Sequence, residues 1–465
     1  MRVYYFGIIH CVILNPMKSF LNIVALLLTL NTALIISLLH PEIQKQFFGH
    51  WWMLALLYLL IPLAMFWYLK FSILPRREKH TIPKLQGLIG GYEIILDTAI
   101  VMIIEVVIYA IFIIYGPNMT TALLINAIIF IVLSAGLFVN GAIRIAVLSR
   151  QLSMTLKAGI FVLGWMPVVN LILFGYYAKV AKREYRFEML KHELNITRIE
   201  SQICKTKYPI VLVHGIFFRD WKHVNYWGRI PAELKRNGAK VYYGNQQSAD
   251  SIANCALELK KTIQGILKKE KVAKVNIIAH SKGGLDARYM ISKLNMAKHV
   301  ASLTTVNTPN HGTPLVDKLL PVIPDKTVKL ISKKYNQIFK KLGDKKPDFY
   351  TGVKELSEKN INKLNKSLKN QKGVLYQSVG SKMVSPKSTV LPLSLGYAVI
   401  SFDGVENDGL VPVKSFANGR YLGTIKTKDG LGHGDMIDMT RRNLKGFDVR
   451  EFYVKLVADL KRKRL

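Results

Sequence analysis

Ile277-Ile278-Ala279-His280-Ser281-Lys282-Gly283-Gly284 is the stretch that decides the fold. The apolar run Val275–Ala279 predicts a buried strand, and the residues from Gly283 to Leu294 predict a helix. A serine on the sharp turn between such elements has an accessible hydroxyl, provided that small residues lie two positions before and after it. Ala279 and Gly283 supply them, with alanine at the position where glycine is usual. The stretch therefore predicts a nucleophilic serine at position 281.

Strands and helices alternate on both sides of this turn. The predicted strands are Tyr208–Val213, Ala239–Tyr243 and Val300–Val306, and the predicted helices are Ile230–Arg236 and Ala249–Lys268. Alternation of this kind implies right-handed βαβ units and a parallel sheet. We therefore predict an α/β domain over residues 207–465, with a mostly parallel sheet flanked by helices.

Two glycine-flanked loops further along the chain carry the groups that a serine nucleophile needs. A hydroxyl is activated by a base, and the base is oriented by a carboxylate. In folds of this kind the acid follows the serine and the histidine follows the acid. Asp408 lies in Glu406-Asn407-Asp408-Gly409, and His433 lies in Gly432-His433-Gly434-Asp435. The predicted catalytic triad is Ser281, Asp408 and His433.

The developing oxyanion needs two backbone N–H donors. One donor is the amide of Lys282, next to the nucleophile. The second is expected in the loop after the first strand of the domain, Val213-His214-Gly215-Ile216-Phe217. Gly215 allows the tight turn that would direct the amide of Ile216 at the nucleophile, with His214 and Gly283 as supporting motif residues.

The ordered motifs together resemble the bacterial triacylglycerol lipases, members of the α/β-hydrolase superfamily, over residues 207–460. The similar stretches are Pro209–Gly215, Tyr226-Trp227-Gly228-Arg229-Ile230-Pro231, Ala279–Gly284 with Ala287-Arg288-Tyr289, Thr308–Pro314 and Asn407–Val411. The resemblance implies an α/β-hydrolase fold and hydrolysis of acyl esters, lipids above all. It assigns Ser281 as nucleophile, His433 as general base and Asp408 as its orienting acid, with oxyanion donors at Ile216 and Lys282.

The resemblance also implies a lid, here an insertion at about 315–372 that mixes apolar residues with lysines. An amphipathic lid that opens at a membrane surface and a plain helical cap both fit this composition. Many of these lipases hold a structural calcium ion through an aspartate two residues after the catalytic histidine, where this chain has Asp435. The expected partner aspartate has no match between Leu391 and Tyr397, so we predict no metal and no other cofactor.

Long apolar runs set residues 1–178 apart as a predicted transmembrane helical domain. About 20 apolar residues cross a bilayer as a helix. The four runs that predict membrane spans lie near 18–39, 51–70, 88–115 and 120–148. A fifth apolar segment, at 157–177, precedes a charged linker helix predicted over 179–206.

The basic residues near the span ends predict the orientation of the chain. They place the start of the chain, the 70–86 loop and the 144–157 loop in the cytoplasm. The far end of the 157–177 segment is basic too, so a spanning segment would put the hydrolase domain outside. Pro167 and Asn170, in Trp165–Asn170, favour a re-entrant turn. The prediction is a multi-pass protein of the cell membrane with a cytoplasmic hydrolase domain.

Three acidic residues, Glu93, Asp97 and Glu105, lie in the third predicted span. Acids within a bilayer are costly and mark either a transport pathway or a polar seam between helices. The seam, with Arg144 or Asn140 as a partner, is the preferred interpretation because a pathway usually needs a larger bundle.

The net charge of +35 favours anionic partners. The lysines are scattered without a nucleic-acid-binding motif, so we predict a membrane and a lipid or acyl-ester substrate as partners, and no nucleic acid. Cys204 and Cys255 allow at most one disulfide in the C-terminal domain, and Cys11 lies outside it. The oligomeric state stays open.

Other functions remain compatible with the same residues. An acyltransferase or a thioesterase would use the same triad, because the shape of the pocket selects the acyl acceptor. A membrane sensor or transporter with an inactive hydrolase-like domain is a further alternative. The complete triad and both oxyanion positions argue against it.

Overall fold

The computed structural model describes residues 16–46, 51–73, 82–116, 120–163, 166–216, 225–389, 391 and 393–465. Cys11, Trp165, Phe217 and residues 74–81 of the basic loop at 70–86 lie outside these ranges. The chain divides into two compact units between Leu194 and Asn195, a position inside the predicted linker 179–206. We call them the N-terminal unit and the C-terminal unit.

The described part of the N-terminal unit is helical. Its helices are α1 (Pro16–Leu30), α2 (Thr32–Gln46), α3 (Trp51–Tyr58), α4 (Leu60–Ile73), α5 (Pro83–Tyr115), α6 (Thr120–Leu148), α7 (Met154–Leu163) and α8 (Pro167–Ile196). Within the described ranges, three segments are each long and apolar enough to cross a membrane, namely Trp51–Ile73, Pro83–Tyr115 and Thr120–Leu148. They correspond to the second, third and fourth predicted spans.

The first predicted span, 18–39, is not one straight helix. α1 and α2 meet at a bend of 63° between Leu30 and Thr32. A bend frees backbone groups from the helical ladder, and in a membrane segment these must find other partners. Here the amide of Leu34 donates to Asn126 Oδ1 on α6 at 3.3 Å. The span predicted near 18–39 therefore corresponds to a bent pair of helices, which together are long and apolar enough to cross a membrane.

The bend lies beside a buried polar contact between three helices. Asn31 Nδ2 donates to Glu105 Oε2 on α5 at 2.7 Å, and Asn126 Nδ2 donates to Asn31 Oδ1 at 2.8 Å. Arg144 donates to Asn140 Oδ1 at 2.8 Å and also to the carbonyl oxygen of Ser72. Glu105 therefore pairs helices, as the seam interpretation expects, although through Asn31 and not through the two partners suggested from the sequence. Glu93 and Asp97 are buried as well.

The break between α7 and α8 lies where the sequence predicts a turn. α7 ends at Leu163, and α8 begins at Pro167, a position where proline loses no helical hydrogen bond. α8 then runs to Ile196, so the second half of the apolar segment and most of the predicted linker form a single helix.

A six-stranded sheet, parallel at every pairing, forms the centre of the C-terminal unit. Its order is β2-β1-β3-β4-β5-β6. The strands are β1 (Ile210–Val213), β2 (Val241–Tyr243), β3 (Val275–His280), β4 (Val300–Val306), β5 (Leu375–Ser381) and β6 (Arg420–Ile425). The predicted α/β fold with a parallel sheet is thereby confirmed.

Helices cover both faces of this sheet. They are α9 (Ile230–Arg236), α10 (Ile252–Glu270), α11 (Lys282–Lys293), α12 (Pro314–Leu319), α13 (Asp325–Lys341), α14 (Phe349–Lys354), α15 (Glu358–Asn365), α16 (Leu393–Ser401) and α17 (Val449–Arg462). Ile210 and Leu212 pack in one core cluster with α9 and α17, whereas Val211 and Val213 pack in another with α10 and α11. This alternation follows from side chains that point to opposite faces along a strand.

The insertion predicted at 315–372 contains α12 to α15, and so it is helical. Cys204 and Cys255 are both free and buried. Burial raises the pKa of both thiols, that of Cys204 to about 12. Neither thiol is therefore a nucleophile near neutral pH.

Candidate active site

Ser281 stands on a strained turn between β3 and α11. Its φ and ψ are +54° and −134°, a region that residues other than glycine rarely adopt and that costs on the order of 1–3 kcal/mol. The turn is held from the neighbouring strand, because the amide of Ser281 donates to the Val306 carbonyl oxygen of β4 at 3.0 Å. The strain raises the serine above the carboxyl end of the sheet, where ligands of open α/β sheets bind.

Glycines let three chain segments meet at this turn. A Cβ atom at Gly283 would lie 2.2 Å from the carbonyl oxygen of His214, and one at Gly215 would lie 2.8 Å from Ser281 Cβ. A Cβ at Gly284 would lie 2.2 Å from Thr308 Oγ1. The loops after β1 and β4 therefore pack directly against the start of α11, which no larger residue would permit.

Asp408 and His433 are joined by a hydrogen bond. His433 Nδ1 lies 2.7 Å from Asp408 Oδ2, and the amide of His433 donates to the Asp408 carbonyl oxygen at 2.8 Å. An ionised carboxylate only accepts, so Nδ1 carries the proton and Nε2 is left as an acceptor. A neutral imidazole in this tautomer is the form that can remove a proton from a serine hydroxyl.

The Asp408 carboxylate is fully buried and accepts three further hydrogen bonds. Oδ1 accepts from the amides of Leu410 at 2.9 Å and Val411 at 2.8 Å. Oδ2 accepts from Asn307 Nδ2 at 2.5 Å. Four donors thus offset the cost of burying this charge and fix the direction in which it faces His433.

The turn residue His280 links the serine to the histidine loop. Its ring centroid lies 4.5 Å from that of His433, and its Nε2 lies 3.2 Å from the His433 carbonyl oxygen. Since Nε2 must donate to this carbonyl, Nδ1 accepts from Tyr226 Oη at 2.7 Å. Burial lowers the pKa of His280 well below its usual value, so the ring is neutral. His280 thus positions the His433 backbone beside Ser281.

The remaining contact of the predicted triad is the one between the Ser281 hydroxyl and the His433 ring. Among the described residues, no hydrogen bond joins its oxygen to the His433 ring. Contacts of this kind are often loose without substrate and tighten in the reacting complex. The structure therefore brings Asp408 and His433 into direct contact and places Ser281 beside them through His280.

Both predicted oxyanion donors border the same turn. Lys282 is the first residue of α11, and Ile216 follows the glycine that packs on Ser281. Neither amide donates to a backbone carbonyl within the described ranges. The loop of Ile216 is anchored through His214, whose ring nitrogens lie 2.8 Å from the Gly215 carbonyl oxygen and 2.9 Å from that of Gln246.

The side chain of Lys282 is used for packing and not for the oxyanion. It is 1% exposed, and its Nζ lies 2.8 Å from Asp286 Oδ1, one turn further along α11. Burial alone would lower the pKa of Lys282, but the carboxylate of Asp286 raises it above its usual value, so the ammonium stays charged. The ion pair ties down the first turn of the helix that carries the predicted amide donor.

Comparison with known proteins adds to this geometry. The palmitoyl protein thioesterase family matches residues 209–385. Triacylglycerol lipase 2 of Saccharomyces cerevisiae is 29% identical over 255 residues, which cover 52% of this chain and 74% of that protein. A triacylglycerol lipase of Pseudarthrobacter phenanthrenivorans is 37% identical over 123 residues. The C-terminal unit is thus similar in sequence to triacylglycerol lipases and to the palmitoyl protein thioesterase family.

The similarity covers only part of this chain and part of each relative. The match to the Pseudarthrobacter protein spans 25% of this chain and 38% of that one. The crystal structure of Bacillus licheniformis lipase BlEst2 in its mature form covers 54% of this chain and 92% of that chain, at 19% identity and a TM-score of 0.41. The resemblance to lipases inferred from the motifs is confirmed.

Asn307 is a residue of this site that the sequence did not reveal as such. It directly follows β4 and has a φ of +48°. Its Nδ2 donates to Asp408 Oδ2 at 2.5 Å and to Ser381 Oγ at 2.8 Å. Its only sequence signal is its place at the end of the strand after the one that leads to Ser281. Asparagine tolerates positive φ better than most residues. At position 307 it therefore fits the backbone conformation at the strand end and also supplies the side-chain donor to Asp408.

Replacing Asn307 by glycine, which also accepts positive φ, is expected to lower kcat about 10- to 100-fold with little change in KM. The reason is the loss of one hydrogen bond to a buried charge, worth about 1.5–3 kcal/mol. Steady-state kinetics on the detergent-solubilised full chain checks this. Asn418→Gly, in a loop that bonds to β5 instead of to the carboxylate, is the control. A kcat within twofold of the wild type would show that Asn307 does not position the acid.

Asp435, the position of the lipase calcium ligand, has other partners here. Its Oδ2 accepts from the amide of Gly432 at 2.8 Å, and its Oδ1 lies 3.8 Å from Arg442 NH2. Burial raises the pKa of this carboxyl group. A guanidinium beside the carboxylate does not suit a cation site. Within the described part of the chain, no cluster of three or more His, Cys, Asp or Glu side chains is placed to hold a metal.

Proposed function

We propose that the protein is a membrane-anchored serine ester hydrolase, a lipase or carboxylesterase, that cleaves acyl esters of lipids through an acyl-enzyme on Ser281. The observation that carries the proposal is the hydrogen bond from His433 Nδ1 to the buried Asp408 carboxylate, beside the strained turn of Ser281. The names of the relatives support an ester hydrolase.

The reaction follows from these positions in two steps. His433 Nε2 takes the proton of the Ser281 hydroxyl while Oγ forms a bond to the ester carbonyl carbon. The resulting oxyanion accepts hydrogen bonds from the amides of Ile216 and Lys282. The bond to the alcohol oxygen then breaks, and His433 gives its proton to the departing alcohol. A water molecule, deprotonated by His433, attacks the acyl carbon. The bond from that carbon to Ser281 Oγ then breaks, His433 returns the proton to Oγ, and the acid is released.

The membrane anchor is the N-terminal unit. Its three long apolar helices support integral attachment. The break between α7 and α8 supports a segment that enters the membrane and returns, which would leave the hydrolase unit in the cytoplasm. A lipid substrate would then be available in the membrane to which the enzyme is anchored.

Thioester hydrolysis is the second candidate, because the matched family is named for palmitoyl protein thioesterase. A thioester is attacked by the same serine through the same tetrahedral intermediate, with a thiol as the leaving group. The triad geometry does not distinguish oxygen from sulfur esters, so the difference lies in the pocket that receives the leaving group.

A series of nitrophenyl esters from short to long acyl chains, with acyl thioesters of matched length, tests both candidates. The detergent-solubilised wild type is expected to cleave oxygen esters, with a preference that rises toward long chains. Ser281→Ala should lose about 10⁴-fold or more in kcat, while Ser367→Ala, at an exposed position, keeps full activity. Faster turnover of thioesters at every chain length would favour the second candidate, and equal turnover by Ser281→Ala would refute both.

A further inference from the structure

Gln246 lies in the loop after β2 and contacts both segments that carry the predicted oxyanion amides. It is 1% exposed. Its backbone carbonyl oxygen lies 2.9 Å from His214 Nε2, and its side-chain Nε2 donates to the His214 carbonyl oxygen at 2.9 Å. His214 stands two residues before Ile216. Gln246 therefore holds the loop of one predicted donor through its backbone and through its side chain.

The side chain of Gln246 also faces the first turn of α11. Asp286 Oδ1 lies 2.8 Å from Lys282 Nζ, and both of these side chains are buried. Burial raises the pKa of Asp286 to about 6, whereas the Lys282 ammonium and the Gln246 side-chain amide both lower it. An amide lowers the pKa of a carboxyl group when its N–H is directed at the ionised oxygens. A buried series of contacts thus runs from Lys282 through Asp286 and Gln246 to His214.

The amide oxygen of Gln246 takes no part in these contacts. Within the described ranges, Gln246 Oε1 is buried and has no hydrogen-bond partner. A buried acceptor without a partner costs free energy, and an apolar side chain of the same length would fill the space without that cost. Position 246 therefore depends on the donor Nε2, and not only on the volume of the side chain.

We infer that Gln246 is a positioning residue for the oxyanion hole, which holds the amides of Ile216 and Lys282 in register by joining His214 to the Lys282–Asp286 ion pair. Two amides stabilise one oxyanion only when both are directed at the same atom. The packing of α11 on the His214 carbonyl oxygen sets how closely the two segments approach. The Gln246 contacts additionally resist sliding of one segment past the other. The inference rests on the proposed ester hydrolysis, because the two donors act in that reaction.

The test compares Gln246→Met with Gln247→Met in the detergent-solubilised full chain. Gln247 is the matched control, because it is the next residue and is buried too. Its Nε2 donates to Asp250 Oδ2 at 3.0 Å, and its Oε1 accepts from the amide of Lys346 at 2.6 Å. The same change there breaks contacts that do not lead to the oxyanion amides. Rates on a long-chain nitrophenyl ester are expressed per chain that a fluorophosphonate labels at Ser281, so that misfolded chains are not counted.

Gln246→Met is expected to lower kcat about 10- to 100-fold, somewhat less than the roughly 10²- to 10³-fold that follows the loss of a donor. KM should change less than about twofold, because the donors act mainly in the transition state. A long-chain trifluoromethyl ketone adds to Ser281 and then carries an oxyanion. Its inhibition constant should rise by the factor by which kcat/KM falls. Gln247→Met should keep the wild-type kcat and inhibition constant, even if it melts at a lower temperature.

Asp286→Asn is a second variant, so the test does not depend on the folding of one protein. The NH₂ group of the new side chain would face the Gln246 amide, donor against donor, and the inhibition constant should rise again. Because the contacts act as one unit, the double variant should lose no more kcat than the more impaired single variant.

Losses that multiply in the double variant would overturn the inference. So would a wild-type kcat and inhibition constant per labelled chain in Gln246→Met, or an equal loss in Gln247→Met. The wild type and Ser281→Ala are measured first. If the wild type does not turn over, or if Ser281→Ala equals it, the proposed function is refuted and the inference with it, whereas an active wild type with an unaffected Gln246→Met refutes the inference alone.

Discussion

Asp408→Asn is expected to lower kcat by about four orders of magnitude while the unit stays folded. Oδ1 of Asp408 accepts from two backbone amides, and Oδ2 accepts from His433 and Asn307. An asparagine satisfies the two amides with its oxygen, which turns its NH₂ group toward His433 Nδ1. Nδ1 must then accept, so the proton moves to Nε2, and the ring can no longer take the proton of Ser281.

The measurement is steady-state kinetics on a long-chain nitrophenyl ester, with a melting curve for each variant. Asp429→Asn is the matched control, because it makes the same change at an exposed position in the loop before His433. We expect Asp429→Asn to be fully active. A loss of less than about tenfold in Asp408→Asn would show that Asp408 does not orient the catalytic base.

Gly283→Ala is expected to destabilise the C-terminal unit by about 3 kcal/mol or more and to remove activity. The added Cβ would lie 2.2 Å from the His214 carbonyl oxygen and 2.9 Å from that of Val213. Both neighbours are backbone atoms of the buried β1 segment and its loop, so neither can turn aside as a flexible side chain would. Either α11 or the loop of Ile216 must move, which separates the two predicted oxyanion amides.

Gly265→Ala, in the middle of α10, is the matched control, because a Cβ there meets no atom within 4 Å. Alanine at a helical position is favoured over glycine by up to about 1 kcal/mol, so this variant should be slightly more stable than the wild type. Thermal unfolding of the detergent-solubilised full chain compares the two. A Gly283→Ala protein that melts with the wild type and stays active would contradict the packing described around Ser281.

The features that follow from local sequence were predicted well. β4 has the predicted bounds, and β3 and α11 differ from their predicted bounds by one residue, because an apolar run followed by Ser281 and two glycines allows few other structures. The approximate places of Asp408 and His433 could be predicted because their chain order and glycine flanks are constrained by the fold. The hydrogen bond between Asp408 and His433 does not follow from local sequence, because it depends on how the two loops pack together in three dimensions.

The features that depend on distant contacts were missed. Asn307 meets Asp408 across 101 positions in the chain, and the bend after Leu30 is compensated by Asn126 across 92 positions from Leu34. Neither pairing leaves a periodic signal in one sequence. The continuity of α8 was missed for another reason, since the change from apolar to charged residues within it suggested a boundary although helix-forming residues continue through it.

The most direct test of the central claim is covalent labelling with a fluorophosphonate, which reacts with an activated serine. We predict one adduct per wild-type chain, located by peptide mass spectrometry on Ser281, and no adduct on Ser281→Ala. His433→Ala should label far more slowly than the wild type, because the hydroxyl then lacks its base. An adduct on another residue, or equal labelling of Ser281→Ala, would contradict the assignment of Ser281 as the nucleophile.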